Sequence, residues 1–339
     1  MQPRFEILRQ WAGFVKLAPI LLAMARPVYR FHYLSAACSS GLLEALRDGP
    51  LSLSALAEKF GATPDWMDAL EAWLDVGIAT GELERQVDGR FALKGYLAKA
   101  LARTENAPFA AIVEEVGILH QKLVVETPDR LRSSRRFTLA DQNARVIAQS
   151  SRILEPWVSK AVERAIPPNG QVKLLEVGCG SGIYMRHAAT RNPALTALGL
   201  ELQEGAADLA RSNLQSWGLS DRMSVEVGDI RRRAPSPSFH IVTLHNNIYY
   251  FPVAERVELF RHLRGFLEPG GTLLATTACK GGSPAVEALN LWAAATEGCG
   301  RLPSPNEMVR QMEEAGFTGA RSTKLIPFES YYSFTGHAP

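Results

Sequence analysis

The stretch Glu176-Val-Gly-Cys-Gly-Ser-Gly182 decides the fold of this chain. It overlaps the end of a mostly apolar run, residues 172–177, whose composition predicts a buried β-strand. Closely spaced glycines allow a sharp turn after the strand and let a ligand approach the backbone. Because open α/β sheets bind ligands at the carboxyl ends of their strands, the stretch predicts a ligand site as well as a fold.

From residue 172 onward, predicted strands and helices alternate along the chain. The predicted strands are 172–177, 197–202, 224–227, 241–244 and 272–277, and two last apolar segments, 320–326 and 331–335, are expected to form a closing hairpin. Ser304 and Glu307 have the capping-box spacing that begins the last helix. This order predicts an α/β fold with a doubly wound, mostly parallel sheet.

The first three predicted strands each end at an acidic residue, namely Glu176, Glu201 and Asp229. A dinucleotide site would need glycine or alanine where Ile183 stands, and Glu176 would repel a pyrophosphate. Glu176 would instead attract the methionine ammonium group of S-adenosylmethionine. Glu201 is suited to accept hydrogen bonds from the ribose hydroxyls, and Asp229 from the adenine amino group. The three acids in this order therefore predict a site for S-adenosylmethionine.

The other predicted cofactor contacts lie next to these acids. Leu202 and Ile230 are expected to sandwich the adenine ring, and the glycine turns bring the backbone close to the cofactor. The predicted cofactor-binding residues are Glu176, Gly178, Cys179, Gly180, Gly182, Glu201, Leu202, Gly228, Asp229, Ile230 and His245.

Glu176 to Gly182, together with Glu201 and Asp229, are similar to the motifs of class I S-adenosylmethionine-dependent methyltransferases, over about residues 145–339. With its N-terminal region, the chain resembles the bacterial and plant small-molecule O-methyltransferases. The resemblance implies a Rossmann-like catalytic domain with a seven-stranded sheet at 146–339, and a mainly helical dimerisation and substrate-lid domain at 1–145. It also implies S-adenosylmethionine as cofactor, S-adenosylhomocysteine as product, a homodimer, and an aromatic or specialised-metabolite acceptor.

The N-terminal domain has the pattern of a winged helix. Ser52 is placed to cap a helix over 53–60, Thr63-Pro64 begins a second helix over 64–78, and Asp88-Gly89 is a hairpin turn between alternating segments. The second helix contains four carboxylates and neither lysine nor arginine, so it would repel a phosphate backbone. With a formal net charge of only +2, the chain is expected to bind no nucleic acid, which argues against a transcriptional regulator.

His245 follows the fourth predicted strand, in Leu244-His245-Asn246-Asn247. The O-methyltransferases have a catalytic histidine here in a His-Asp-Trp pattern, so the resemblance implies that His245 is the general base. Three positions depart from that pattern. Asn246 replaces the aspartate, and Thr277 and Leu302 replace acids that would orient the histidine.

These departures leave alternatives open. His245 is either a weaker base or a residue that only lines the pocket. An acceptor that needs no strong base, such as a ring nitrogen, a thiolate or an activated carbon, is compatible with the sequence. So is an enzyme of the pericyclase or decarboxylase kind, which binds S-adenosylmethionine without transferring its methyl group.

The predicted acceptor contacts follow from position alone. They are Asn246, Asn247, Tyr249, Tyr250 and Trp292, and core packing is the alternative for Trp292. The four cysteines lie far apart and the histidines lack ligand spacing, so no metal is expected and a cytoplasmic location is the default.

The apolar segment 11–25 is shorter than the roughly 20 residues that span a bilayer, and Lys16, Pro19 and Arg26 interrupt or flank it. It is therefore expected to pack on a partner subunit or to touch a membrane surface, without stable insertion.

Overall fold

A computed structural model describes the backbone of residues 3–339 and the side chains of residues 14–143 and 145–339. The chain forms two compact units. The first unit comprises Met1–Gln121 and Ala144–Ser150, and the second comprises Lys122–Asn143 and Ser151–Pro339. The predicted division between residues 145 and 146 falls within the segment Ala144–Ser150, which belongs to the first unit. The residues just before that segment, Lys122–Asn143, belong to the second unit.

The α-helices and strands are named in chain order. The α-helices are α1 (Pro3–Ser39), α2 (Leu42–Ala45), α3 (Leu53–Phe60), α4 (Met67–Thr80), α5 (Tyr96–Leu101), α6 (Ala107–Glu115), α7 (Gln121–Ser133), α8 (Ala144–Ser150), α9 (Glu155–Ala165), α10 (Ile183–Arg191), α11 (Glu204–Ser216), α12 (Arg256–Arg264), α13 (Pro284–Ala295) and α14 (Pro305–Glu314). The strands are β1 (Leu83–Arg85), β2 (Phe91–Leu93), β3 (Lys173–Val177), β4 (Thr196–Glu201), β5 (Met223–Val227), β6 (Phe239–His245), β7 (Leu267–Ala278), β8 (Thr318–Lys324) and β9 (Tyr331–His337).

The first unit contains the predicted helix, helix and hairpin in that order. Ser52 caps α3 by accepting a hydrogen bond from the backbone N–H of Ala55 at 3.2 Å. The second helix differs from the prediction at its start, because Pro64–Trp66 form a 3₁₀ turn and the α-helix begins at Met67. Strands β1 and β2 pair in antiparallel fashion on either side of the Asp88-Gly89 turn.

A carboxylate is buried in the core of the first unit. Leu42, Leu56, Leu74 and other apolar side chains of α1 to α5 and the hairpin fill this core. Glu82 is fully buried among them, where it forms an ion pair with Arg30 of α1 and accepts the backbone N–H of Ala98 at 2.9 Å. A buried carboxylate is tolerated only with such partners, so the pair fixes α1 against the start of the hairpin.

The second unit is built on the predicted doubly wound sheet. Within residues 3–339, seven strands form this sheet in the order β5-β4-β3-β6-β7-β9-β8. Strands β3 to β7 pair in parallel, whereas β9 is antiparallel to both β7 and β8. The chain runs outward from β3 through β4 to β5 and then returns to β6 on the other side of β3. This reversal places a topological switch point between β3 and β6, which is where such sheets bind ligands.

The N-terminal helix α1 exposes a row of apolar side chains. Leu17, Ile20, Leu21, Leu22 and Met24 are each more than half exposed in the chain. The side chains of residues 11–13, the first part of the predicted apolar segment, lie outside the described ones. Among the described residues, no helix combines the length and the apolar character needed to cross a membrane.

Candidate active site

The glycine loop after β3 is tied to the loop after β6 by one amide. Gly178 has a φ of +65°, and a Cβ at this position would overlap the Asn247 side chain. The Asn247 amide nitrogen donates to the carbonyls of Val177 at 3.1 Å, Gly178 at 3.2 Å and His245 at 2.8 Å. The N–H groups of Asn247, a residue predicted to contact the acceptor, hold the two loops together.

Glu176 is a buried acid at the end of β3. It is 1% exposed, and neither carboxylate oxygen has a hydrogen-bond partner among the described residues. Burial, together with the negative charge of Glu201, raises the pKa of Glu176 to about 8. An unpaired buried carboxylate costs free energy, which a bound cation would offset. The site therefore fits a ligand with a positively charged group at this point.

Glu201 is held at the end of β4 by two backbone donors. Its Oε2 accepts from the N–H of Gly180 at 2.9 Å, and its Oε1 accepts from the N–H of Gln203 at 3.1 Å. The carboxylate thus joins the glycine loop to the end of β4. Each oxygen keeps acceptor capacity beyond these bonds, so the group fits a pair of hydroxyls.

Asp229 follows β5 and is engaged with its own loop. It accepts from the backbone N–H of Arg231 at 3.0 Å and forms an ion pair with the Arg231 guanidinium at 2.8 Å. This hydrogen bonding to Arg231 lowers the pKa of Asp229, which keeps it ionised. Of the two residues expected to flank the adenine ring, Leu202 is 57% exposed whereas Ile230 is buried. Leu202 therefore offers a free apolar surface next to Glu201 in the sequence.

His245 lies at the end of β6, buried and neutral. Its Nδ1 is 2.9 Å from the Thr276 hydroxyl, and its ring packs edge-on against Tyr184 with centroids 4.8 Å apart. Its Nε2 has no hydrogen-bond partner within the described part of the chain. Burial lowers the pKa of His245 to about 3, because no nearby charge compensates the imidazolium.

The partner of His245 differs from the position considered in the sequence. Thr277, which replaces the acid of the O-methyltransferases, donates its hydroxyl to the carbonyl of Ala278 at 3.1 Å. Thr276 contacts His245 because the two residues are paired in the register of β6 and β7. Sequence reasoning missed Thr276, Tyr184 and Tyr331, since no local pattern marks them.

Tyr249, Tyr250 and Trp292 form one aromatic cluster. Ring centroids are 4.9 Å apart for Tyr249 and Tyr250, 6.0 Å for Tyr249 and Trp292, and 5.6 Å for Tyr250 and Trp292. Trp292 is 1% exposed and Tyr249 is buried, whereas Tyr250 is half-buried. The burial of Trp292 favours the core-packing interpretation for this residue, and Tyr250 presents the most surface of the three.

A buried arginine organises the segment that carries the two tyrosines. Arg256 of α12 donates from Nε to the carbonyl of Phe251 at 3.2 Å, and from Nη2 to those of Gly300 at 2.8 Å and Arg301 at 2.7 Å. It thereby joins the segment after β6 to the segment before α14. Burial lowers the pKa of Arg256 to about 10, which leaves the guanidinium charged at neutral pH.

Replacing Arg256 by methionine is expected to lower the free energy of unfolding by about 2 kcal/mol, because three carbonyls lose their donor while the apolar stem is kept. Arg261→Met is the matched control, since Arg261 is exposed on the same helix and forms an ion pair with the exposed Glu258. Its effect should stay below about 0.5 kcal/mol. Urea denaturation of the two variants measures the difference. Equal losses of unfolding free energy would contradict a stabilising role for the three hydrogen bonds of Arg256.

In the described residues, histidine, cysteine, aspartate and glutamate side chains form no cluster of three or more that could hold a metal ion.

Comparison with known proteins agrees with this geometry. Residues 174–271 match the family model described as a methyltransferase domain. Demethylspheroidene O-methyltransferase of Rhodobacter capsulatus is 25% identical over 194 residues, a match that covers 56% of this chain and 47% of that protein, or about half of its length.

Two solved structures share the fold over almost the whole chain. The mitomycin 7-O-methyltransferase structure has a TM-score of 0.78 at 17% identity, covering 96% of this chain and 99% of the other. Human N-acetylserotonin methyltransferase, solved with S-adenosylmethionine, has a TM-score of 0.68 at 17% identity, covering 99% and 98%. Residues 174–271 therefore belong to a methyltransferase domain, and the chain has the fold of these methyltransferase structures.

Proposed function

We propose that this chain transfers the methyl group of S-adenosylmethionine to an oxygen atom of a small aromatic or specialised-metabolite acceptor. The observation that carries the proposal is a pair of buried polar groups at the ends of adjacent strands. Glu176 on β3 and the Nε2 atom of His245 on β6 both lack partners in the described chain. The first suits a cationic group of the cofactor, and the second suits the proton of an acceptor hydroxyl.

The cofactor contacts are assigned by the chemistry of each group. Glu176 would bind the methionine ammonium, Glu201 the ribose hydroxyls and Asp229 the adenine amino group. Leu202 and Ile230 would flank the adenine ring. The backbone of the two glycine-containing turns would lie against the cofactor, at Gly178, Cys179, Gly180, Gly182 and Gly228. When bound, S-adenosylmethionine supplies an electrophilic methyl group on a sulfonium.

His245 would act as the general base through Nε2. Its imidazole is neutral at physiological pH, so it can accept a proton at Nε2 in the tautomer that carries its proton on Nδ1. Burial makes it a weak base in the ligand-free protein. It would therefore serve best with an acidic hydroxyl such as a phenol or an enol, whose proton is more easily lost.

One observation favours a second candidate. The partner of His245 is the neutral Thr276 hydroxyl, and no carboxylate contacts the ring in the described chain. A base without a carboxylate partner stabilises its imidazolium less well. Methylation of nitrogen, sulfur or an activated carbon, which needs no strong base, is therefore the alternative reaction at this site.

We further propose that the chain is a cytoplasmic homodimer that associates through its first unit. The exposed apolar side chains of α1 support this assignment, because a contiguous apolar surface on a soluble protein usually marks an interface.

The experiment that tests the proposed function is calorimetric titration of the purified chain with S-adenosylmethionine and, separately, with S-adenosylhomocysteine. Micromolar binding of both is expected, since a transferase must hold its substrate cofactor and its product. A panel of phenols, amines and thiols with labelled methyl donor then identifies the acceptor atom. Binding of the sulfonium form alone would favour a non-methylating enzyme, and binding of neither would overturn the proposal.

A further inference from the structure

Arg231 surrounds the carboxylate of Asp229 with three donor groups. The backbone N–H of Arg231 donates to Oδ1 at 3.0 Å. The guanidinium Nε lies 3.0 Å from Oδ1 and 3.1 Å from Oδ2, and Nη2 donates to Oδ2 at 2.8 Å. A planar guanidinium that bonds both oxygens fixes the plane of a carboxylate as well as its charge. The side chain of Asp229 is therefore held in one orientation just beyond β5.

The acceptor capacity that remains on Asp229 fits one further donor. A carboxylate offers about four lone-pair sites. Three N–H groups of Arg231 occupy three of them, and no other described residue donates to this carboxylate. An aromatic amino group would supply the missing N–H, whereas an oxo group in the same place would bring an oxygen against the carboxylate. The pair thus suits a ligand that presents an amino group.

The guanidinium and the turn that carries it are also held by neighbouring elements of the second unit. The guanidinium carbon lies 5.6 Å from the centre of the Phe251 ring, within the range of a cation–π contact. Asp229 caps the 3₁₀ turn Ile230–Arg232, and the carbonyl of the buried Ile230 is 2.8 Å from Nε2 of His262 on α12. The pair therefore differs from an ion pair between two free surface side chains, which contributes little because both must be ordered.

We propose that Arg231 is a positioning residue, which orients Asp229 so that its remaining acceptor site faces the 6-amino group of the cofactor's adenine. This role rests on the proposed function, in which Asp229 binds that amino group. Without the guanidinium the carboxylate would be free to rotate, and its acceptor site would face the adenine for only part of the time. Selectivity for a 6-aminopurine therefore belongs to the pair of residues and not to Asp229 alone.

The test is calorimetric titration of the full chain with S-adenosylhomocysteine and with the analogue in which hydrogen replaces the 6-amino group. Wild type should bind S-adenosylhomocysteine about 30-fold more tightly, since the analogue leaves the last acceptor site unpaired. Arg231→Met should reduce this preference about fivefold, by weakening the binding of S-adenosylhomocysteine while the dissociation constant of the analogue stays within about twofold. A merely structural role for Arg231 would weaken the binding of both ligands alike.

Two further variants separate the shape of the guanidinium from its charge. Arg231→Lys keeps the charge but cannot bond both oxygens in one plane, so it should also lose most of the preference. Arg232→Met is the matched control. It removes a positive charge from the next residue, whose exposed side chain forms no hydrogen bond with the Asp229 carboxylate, and should leave the preference within about twofold of wild type.

An unchanged preference in Arg231→Met, or an equal loss for both ligands, would overturn the inference. Tighter binding of S-adenosylhomocysteine by that variant would overturn it too, because Arg231 would then compete with the adenine for the carboxylate. With micromolar binding of S-adenosylhomocysteine by wild type, each of these results leaves the proposed function standing. A wild-type chain that binds neither ligand would overturn both.

Discussion

Replacing His245 by alanine is expected to lower kcat for a hydroxyl acceptor by about 100- to 10,000-fold, the range that general-base catalysis contributes. The dissociation constant of S-adenosylmethionine should change little, because Glu176 and Glu201 are the residues proposed to form the charged contacts to the cofactor. Steady-state kinetics together with calorimetry separates the two effects. The split between kcat and cofactor affinity is what distinguishes a base from a residue that only shapes the pocket.

The control for this variant is His240→Gln, at the opposite end of the same strand. His240 accepts the backbone N–H of Lys173 at 3.0 Å and is partly exposed, so its replacement should leave kcat within about twofold of wild type. Near-normal turnover in His245→Ala would remove the base role and leave acceptors that need no base.

The pH profile gives an independent check on His245. Because burial lowers the pKa of His245 to about 3, its imidazole is neutral in the free protein throughout the neutral range. The limb of kcat/KM that His245 contributes should therefore lie near pH 3, with no limb of its own between pH 5 and 7.

Replacing Glu176 by glutamine is expected to weaken the binding of both S-adenosylmethionine and S-adenosylhomocysteine by about 100-fold. Both carry the methionine ammonium, and the amide cannot form the buried charge pair with it. Glu204→Gln is the matched control, since Glu204 is an exposed acid just beyond β4 and should have little effect on either. Weaker binding of the sulfonium form alone would place Glu176 beside the sulfur instead, and no loss for either would exclude it from the site.

Titration of Glu176 should be visible in both binding and stability. Its pKa of about 8 means that the free carboxyl is mostly protonated at pH 7, so binding of an ammonium should release roughly one proton.

In the ligand-free chain, this raised pKa contributes stability that is present below the unfolded pKa and is lost as pH rises through about 8. Glu176→Gln has no such charge to bury and should be more stable than wild type at pH 8.5, by on the order of 3 kcal/mol. Thermal unfolding at pH 5 and pH 8.5 measures this difference.

Much of the fold was predictable because its signals are local. The alternation of apolar runs and turns predicted the sheet of the second unit, and Ser304 with Glu307 predicted the start of α14, where the capping box is present. The turn at Gly178 was also predictable. Gly178 has a positive φ, which favours glycine, and the signal for this turn lies within a few residues of sequence. The start of α4 was less well predicted, because a proline at the first helical position is compatible with a 3₁₀ turn as well as an α-helix.

By itself, the sequence determined the alternation of strands and helices in the second unit and the position of Glu176, Glu201 and Asp229 at or just after three strand ends, because spacing along the chain carries that information. Only the tertiary structure decided which neighbours surround His245. Thr276 is 31 residues away and Tyr331 is 55 residues beyond Thr276, so their meeting depends on the register of β6, β7 and β9. Adjacent residues of a strand point to opposite faces, so choosing Thr276 over Thr277 requires that register. The side-chain contacts of His245 are therefore a property of the folded sheet.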